Sequence, residues 1–188
     1  MTPQAEPPDE VLAVRAAGGD ERAFALLMGR HKAALYRFAR RYVGDADDAC
    51  DVVQQSFVAA WKALERFDPA RGFAPWLRAI ALNKCRDHAR RAAVRRLLMF
   101  SRRPSAMEQV ADAQPDAEAR WMAEQELVAL DRAIAGLPRA LKEPLLLTVF
   151  EGLSQAEAGR ELGISAKAVE TRVYRARRAL TEVIGETG

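Results

Sequence analysis

Between Lys167 and Arg178 the chain carries five basic residues, Lys167, Arg172, Arg175, Arg177 and Arg178, against one acid, Glu170. Arg172, Arg175 and Arg178 stand at i, i+3 and i+6, so a helix gathers them on one side. Guanidinium groups in that array suit phosphate and base-edge contacts in a DNA groove; the alternative is a solvated basic face. A second basic run extends from Arg78 to Arg96, with Asp87 its only acid. Bond-making chemistry has no comparable support. No Ser/His/Asp set or phosphate loop is visible, and Cys85-x-x-His88, though spaced like a ligand pair, does not close a zinc site. The expectation is a binding protein with no cofactor, no metal and no enzymatic activity.

The elements around the C-terminal basic run can be read from local signals. Ser154 and Glu157 have the spacing of a capping box, which starts a helix. Gly163 ends it, as expected where the chain turns left-handed. Ser165 can then cap a second helix that carries the arginines. Ala158, Leu162, Ile164, Val169 and Val173 supply apolar contacts, and Gly159 lets the two helices approach. The pattern is a helix-turn-helix, whose second helix enters the major groove in DNA-binding proteins. Helical hairpins with a glycine turn also occur in proteins that bind no DNA. On these residues alone, a dimeric regulator with an N-terminal sensor domain remains an alternative.

The rest of the chain is patterned for helices, with strand signals nearly absent. The chain has 188 residues, 49% of them hydrophobic, and a net charge of +3. Asp9 to Ala17 reads as a short helix, followed by a break at Gly18-Gly19-Asp20. The next helix carries Phe24, Leu27, Met28, His31, Leu35, Phe38 and Tyr42 on or near one face and stops at Gly44. Asp45, Asp47 and Asp48 open a third helix, where the dipole favours negative charge. Its apolar stripe is Ala49, Val52, Val53, Phe57, Ala60, Trp61 and Leu64; the opposite face holds Asp47, Asp48, Asp51, Gln54 and Gln55. Cys50 is expected to be a small buried core residue of this helix. After a loop from Phe67 to Phe73, Pro75 opens a helix with Trp76, Leu77, Ile80 and Leu82 that runs into the arginines.

From Ser101 to Pro115 periodicity fades, as in a linker. Leu127, Leu130 and Ile134 are then expected to face a second core, and Pro144 to kink a later helix. The fold class is therefore all-α: two small helical domains joined by a flexible linker. The divisions are 1–9 for a disordered tail, 10–97 for the first domain, 98–117 for the linker and 118–185 for the second domain. No run of apolar residues is long enough to span a membrane, and Met1 to Pro8 lack a signal-peptide core. Two cysteines, Cys50 and Cys85, fit a reduced, cytoplasmic setting.

Three motifs carry a family resemblance. Asp48-Ala49-Cys50-Asp51-Val52-Val53-Gln54-Gln55-Ser56-Phe57 resembles the D-A-E-D-V-V-Q-E-x-F segment of the sigma-70 family. Phe73 to Asp87 resembles its F-R-x-W-L-x-x-I-A-x-N-x-x-x-D segment, and Leu137 to Arg177 its region 4. The resemblance covers residues 10–97 and 118–184, in order. Direct passage from region 2 to region 4 is similar to the extracytoplasmic-function sigma factors.

This resemblance implies a promoter-specificity subunit of RNA polymerase. It implies that Asp48, Asp51, Gln54, Gln55 and Trp61 bind the polymerase core through its β and β′ subunits. It implies a −10 contact in which Asp68 and Arg71 of the loop, with Asn83, accept a flipped base, while Lys84, Arg86, Arg90 and Arg91 hold the backbone. Trp76 is expected to be a core anchor. The −35 element is assigned to Ser165, Lys167, Glu170, Thr171, Arg172, Tyr174, Arg175 and Arg178, with Tyr174 partly core-facing. An anti-sigma factor, often membrane-bound in this family, is the further implied partner; the chain itself is not expected to insert into a membrane. Cys50 and Gln55 replace common acids, Ala74 a frequent arginine, and Glu170 a frequent lysine or arginine, so the −35 preference cannot be copied from other members.

Overall fold

The computed structural model describes residues 7–98 and 115–185. The remainder of the expected tail and positions 99–114 of the expected linker lie outside the described residues. Every regular element among those described is helical: α1 Asp9–Ala17, α2 Glu21–Val43, α3 Ala46–Ala63, α4 Phe73–Leu98, α5 Pro115–Gly136, α6 Arg139–Leu145, α7 Gln155–Leu162 and α8 Ala166–Gly185. The short 3₁₀ turns Leu64–Arg66 and Pro69–Arg71 lie between α3 and α4, and a π-helical turn, Leu146–Phe150, follows α6. The chain divides into two compact units, Met1–Asp87 and His88–Gly188, the division falling inside α4.

In the first unit α2 packs on α1 and α3. Phe24, Leu27, Leu35, Phe38 and Tyr42 of α2 and Val52, Val53, Phe57 and Ala60 of α3 are buried, with Leu12, Ala13 and Ala16 of α1. Phe24 meets Phe57 edge-on at 6.3 Å and Trp61 at 4.9 Å. Helix starts are fixed by short acids: Asp20 accepts the Ala23 N–H at 3.0 Å, and Asp45 accepts those of Asp47 and Asp48 at 2.9 and 3.0 Å. In α4 the residues Phe73, Leu77, Ala81 and Cys85 recur every fourth position and are all buried, as is Leu82. Buried Ser56 donates to the Val52 carbonyl at 2.6 Å, so its hydroxyl is satisfied within the helix.

Asp9 is not left in a tail. It is the first residue of α1, and its carboxylate takes hydrogen bonds from Arg30 Nη1 at 2.7 Å and His31 Nε2 at 2.6 Å. Burial raises its pKa, but these two partners more than offset that and hold it below the ordinary carboxylate value. Cys50 departs from expectation: it is exposed. It stands on the border of the α3 stripe, and the helix rotates its side chain outside the buried arc. Cys85 is the buried cysteine.

In the second unit α8 packs against α5, α6 and α7. Ile134, Leu137, Leu145, Leu146, Leu147, Val169, Ala176 and Leu180 form its core. Leu127, expected to face this core, is 59% exposed, whereas Ile134, further along α5, is fully buried. Pro144 lies inside α6, and a change in helix type follows it at Leu146. Proline supplies no N–H and crowds the preceding turn; α6 gives way to the π turn, where the Glu151 N–H reaches the Leu146 carbonyl at 3.1 Å. Lys142 and Glu143 are both buried. Lys142 Nζ donates to the Ala135 carbonyl near the end of α5 at 2.5 Å, and Glu143 accepts from Arg139 Nε at 2.8 Å.

Candidate polymerase and nucleic-acid interfaces

The helix-turn-helix is built as the sequence predicts. The Glu157 N–H donates to Ser154 Oγ at 3.2 Å while the Ser154 N–H donates to Glu157 Oε2 at 2.8 Å, which closes the capping box at the start of α7. Gly163 ends α7 with φ of 68°. A Cβ on Gly159 would lie 2.7 Å from the Ile164 carbonyl oxygen, so the turn backbone packs directly against α7 where only a hydrogen fits. Ser165 Oγ accepts the Ala168 N–H at 3.1 Å and starts α8. Ser165 thus positions the second helix by capping it, whatever else its hydroxyl touches.

Val169, Ala176 and Leu180 bury one side of α8. The outward side presents Lys167, Glu170, Thr171, Tyr174, Arg175, Arg177 and Arg178, all exposed, with Arg172 half-buried at the margin. Tyr174 is 64% exposed and does not face the core. It follows Val169 by five residues, which at about 100° per residue turns it roughly 140° away from the buried line. Lys167 Nζ sits 2.7 Å from Glu170 Oε2, so the acid of this surface is paired within its own helix. Thr171 Oγ1 donates to the Lys167 carbonyl at 2.9 Å, and Arg178 lies 3.6 Å from Glu182.

In the first unit a second surface involves the Asp68–Gly72 loop and α4. Asp68 Oδ1 accepts the Ala70 N–H at 3.0 Å and Oδ2 lies 3.5 Å from Arg71 Nε, so the loop is a small capped turn with Arg71 81% exposed. Phe67, Phe73 and Trp76 stack beside it at centroid distances of 5.2 to 5.8 Å. Trp76 is half-buried in this cluster, which fits an anchor. Asn83 is exposed on α4, and Arg86 Nη1 donates to its Oδ1 at 3.2 Å. Lys84 and Arg86 are half-buried; Arg90 and Arg91, further along α4 and past the division between the units, are exposed.

The third surface is the outer face of α3. Asp51, Gln54 and Gln55 are exposed and Asp48 is half-buried. Val58 and Trp61 continue the same face at helical spacing, 50% and 38% exposed. Val58 was missed from sequence. The available signal was its position four residues past Gln54 and three past Gln55, an apolar side chain on a polar stripe. Trp61 has a double placement, packed against Phe24 on one side and partly open to solvent on the other.

Known proteins decide what these surfaces belong to. The sigma-70 region 2 family model matches residues 27–95 and the sigma-70 region 4 model residues 127–180. The chain belongs to the sigma-70 family, among its extracytoplasmic-function sigma factors. It is similar to the RNA polymerase sigma factor NccH of Alcaligenes xylosoxydans xylosoxydans, at 43% identity over 176 residues covering 94% of each chain. It is 30% identical over 184 residues, 92% of each chain, to the ECF RNA polymerase sigma-E factor of Salmonella typhimurium strain LT2. Among solved structures it resembles CnrH in complex with the cytosolic domain of CnrY, with 37% identity, a TM-score of 0.68, and coverage of 96% of this chain and 99% of that one. As an RNA polymerase sigma factor it directs promoter-specific transcription initiation. Among the described residues no helix is long and apolar enough to cross a membrane.

Proposed function

We propose that this sigma factor divides its work among three surfaces. The outer face of α3, through Asp48, Asp51, Gln54, Gln55 and Trp61 and with Val58 added, docks on the β and β′ subunits of core polymerase. An exposed apolar pair beside carboxylates and amides is a suitable composition for such an interface: apolar contact at the centre, polar groups at the rim. The Asp68–Gly72 loop with Arg71 and Asn83 receives an unpaired base of the −10 element, while Lys84, Arg86, Arg90 and Arg91 hold the sugar-phosphate chain. The aromatic cluster beneath the loop gives the base an apolar neighbour, as single-strand binding requires.

The outward face of α8 reads the −35 element. Lys167, Thr171, Arg175 and Arg178 point away from the core and can enter a major groove together, with Tyr174 and Arg172 at its edges. Glu170 tunes the choice of base, and Ser165 holds the helix start. The single observation that carries this reading is that region 2 and region 4 match in order along the chain, over residues 27–95 and 127–180, and that α4 and α8 within them each expose basic side chains. The protein itself makes and breaks no bonds; polymerase does that. We place it in the cytoplasm and under the control of an anti-sigma factor. That control is supported by the family and by the binding of CnrH to the cytosolic domain of CnrY.

The test is transcription in vitro from a random-promoter pool by core polymerase with and without the chain. Transcripts that start downstream of a shared two-part motif only when the chain is present support the reading. A chain that binds a single operator without core, and adds no starts with it, would identify an ordinary regulator instead.

A further inference from the structure

The base-receiving loop is held by a residue far away in sequence. The Phe73 N–H, at the first position of α4, donates to Glu10 Oε1 at 3.4 Å. Glu10 Oε1 also lies 3.7 Å from the point where a Cβ on Gly72 would stand, against the last residue of the loop. Helix α1 touches both 3₁₀ turns that flank Phe67 and Asp68. Its neighbour Asp9 is fixed in turn, with Arg30 Nη1 at 2.7 Å and His31 Nε2 at 2.6 Å; Arg30 Nη1 also donates to the Pro7 carbonyl at 2.8 Å. His31 stacks obliquely on Phe73 at 5.3 Å. The start of α1 is therefore pinned to α2 by Asp9 and reaches across to the loop and α4 by Glu10.

From this arrangement we infer that Glu10 is a positioning residue for −10 base capture: its carboxylate caps α4 and fixes the end of the Asp68–Gly72 loop. The first N–H groups of a helix need outside acceptors, and negative charge is favoured there. A loop already held in its bound shape loses less freedom when a base enters, so its affinity for that base is higher. The inference rests on the loop receiving an unpaired base. It assigns to α1 a part in promoter opening that needs no contact between α1 and DNA.

The experiment uses holoenzyme reconstituted with the full chain and a single-stranded −10 oligonucleotide taken from a promoter selected by that holoenzyme. Its copies carry an abasic site at each position in turn. For wild type, the abasic site at the captured position should weaken binding by about fivefold or more. Glu10→Ala should lower that ratio to about one to twofold, bringing the two oligonucleotides close together. Glu10→Gln, whose amide oxygen can still accept the Phe73 N–H, should restore most of it. Affinity for core polymerase should be the same for all three.

If wild type binds intact and abasic oligonucleotides alike at every position, base capture itself is wrong and the inference falls with it. If wild type discriminates and Glu10→Ala does so equally, capture stands and Glu10 does not position the loop. A Gln variant as impaired as Ala, or an Ala variant that also loses core binding, would likewise overturn the inference. The first would remove the hydrogen bond as the cause, and the second would make Glu10 a general fold residue.

Discussion

Glu170 Oε2 lies 2.7 Å from Lys167 Nζ, one turn earlier on α8, so the acid on the surface proposed to read the −35 element carries its own counterion. The pair is exposed, at 81% and 50%, and such pairs add about 0–1 kcal/mol to stability. Its consequence is for recognition. Glu170 can accept from a cytosine amino group while Lys167 is steered toward phosphate or guanine. Glu170→Gln should leave the unfolding midpoint nearly unchanged and shift the preferred base at one −35 position. Lys167→Ala should reduce the slope of log affinity against log salt by about 1. Selection from randomised −35 elements and a salt titration check both.

Asp51 is exposed on the outer face of α3, away from every buried position of that helix. Asp51→Arg should abolish co-purification with core polymerase, while stability changes by no more than about 0.5 kcal/mol, as for other surface substitutions. Normal binding to core would move the docking face elsewhere.

Gly159 admits no side chain, because a Cβ would stand 2.7 Å from the Ile164 carbonyl oxygen. Backbone is the obstacle, so the turn itself would have to shift. Gly159→Ala should cost about 1–3 kcal/mol, the range for overpacking, and weaken −35 binding by tilting α8. Urea unfolding followed by circular dichroism measures the first effect and duplex binding the second.

Acid should loosen the first unit. Asp20 is held below its ordinary value of 3.8 by the Ala23 N–H and then by Arg15, and Asp9, against burial, by Arg30 and His31. Both carboxylates bind protons less readily in the folded chain than in the unfolded one. Their contribution is present above the unfolded pKa and is lost as pH falls through the lower, folded values. The thermal midpoint should therefore drop as pH is lowered below about 4. The Asp9→Asn, Asp20→Asn double variant should show a shallower drop in calorimetry. Equal slopes would rule these two residues out as the source.

The parts of this molecule legible in sequence are those fixed within a few residues. The capping box at Ser154 and Glu157, the glycine stop at Gly163, the acidic start of α3 at Asp45, Asp47 and Asp48 and the Asp51-Gln54-Gln55 face all follow from spacing along one helix. What escaped depends on neighbours brought together by folding. Asp9 meets Arg30 and His31 across a turn, Glu10 meets Phe73 from the far end of the unit, and Lys142 spends its charge on the Ala135 carbonyl. A Lys-Glu dipeptide in a helix carries no local sign of burial, yet both residues are buried in the folded unit. Cys50 failed because it stands near the edge of a helical stripe, where small rotations decide between core and solvent. Tyr174 failed because an aromatic ring was given a share of the core at a position that, five residues past Val169, faces solvent.

The most direct test of the central claim compares promoter binding by the chain alone with binding by the chain plus core polymerase, using one promoter with separately altered −10 and −35 elements. A sigma factor that reads two elements through α8 and the α4 surface should bind tightly only with core, and lose affinity when either element is changed. Tight, sequence-specific binding by the chain alone, unaffected by core and indifferent to the −10 element, would contradict it.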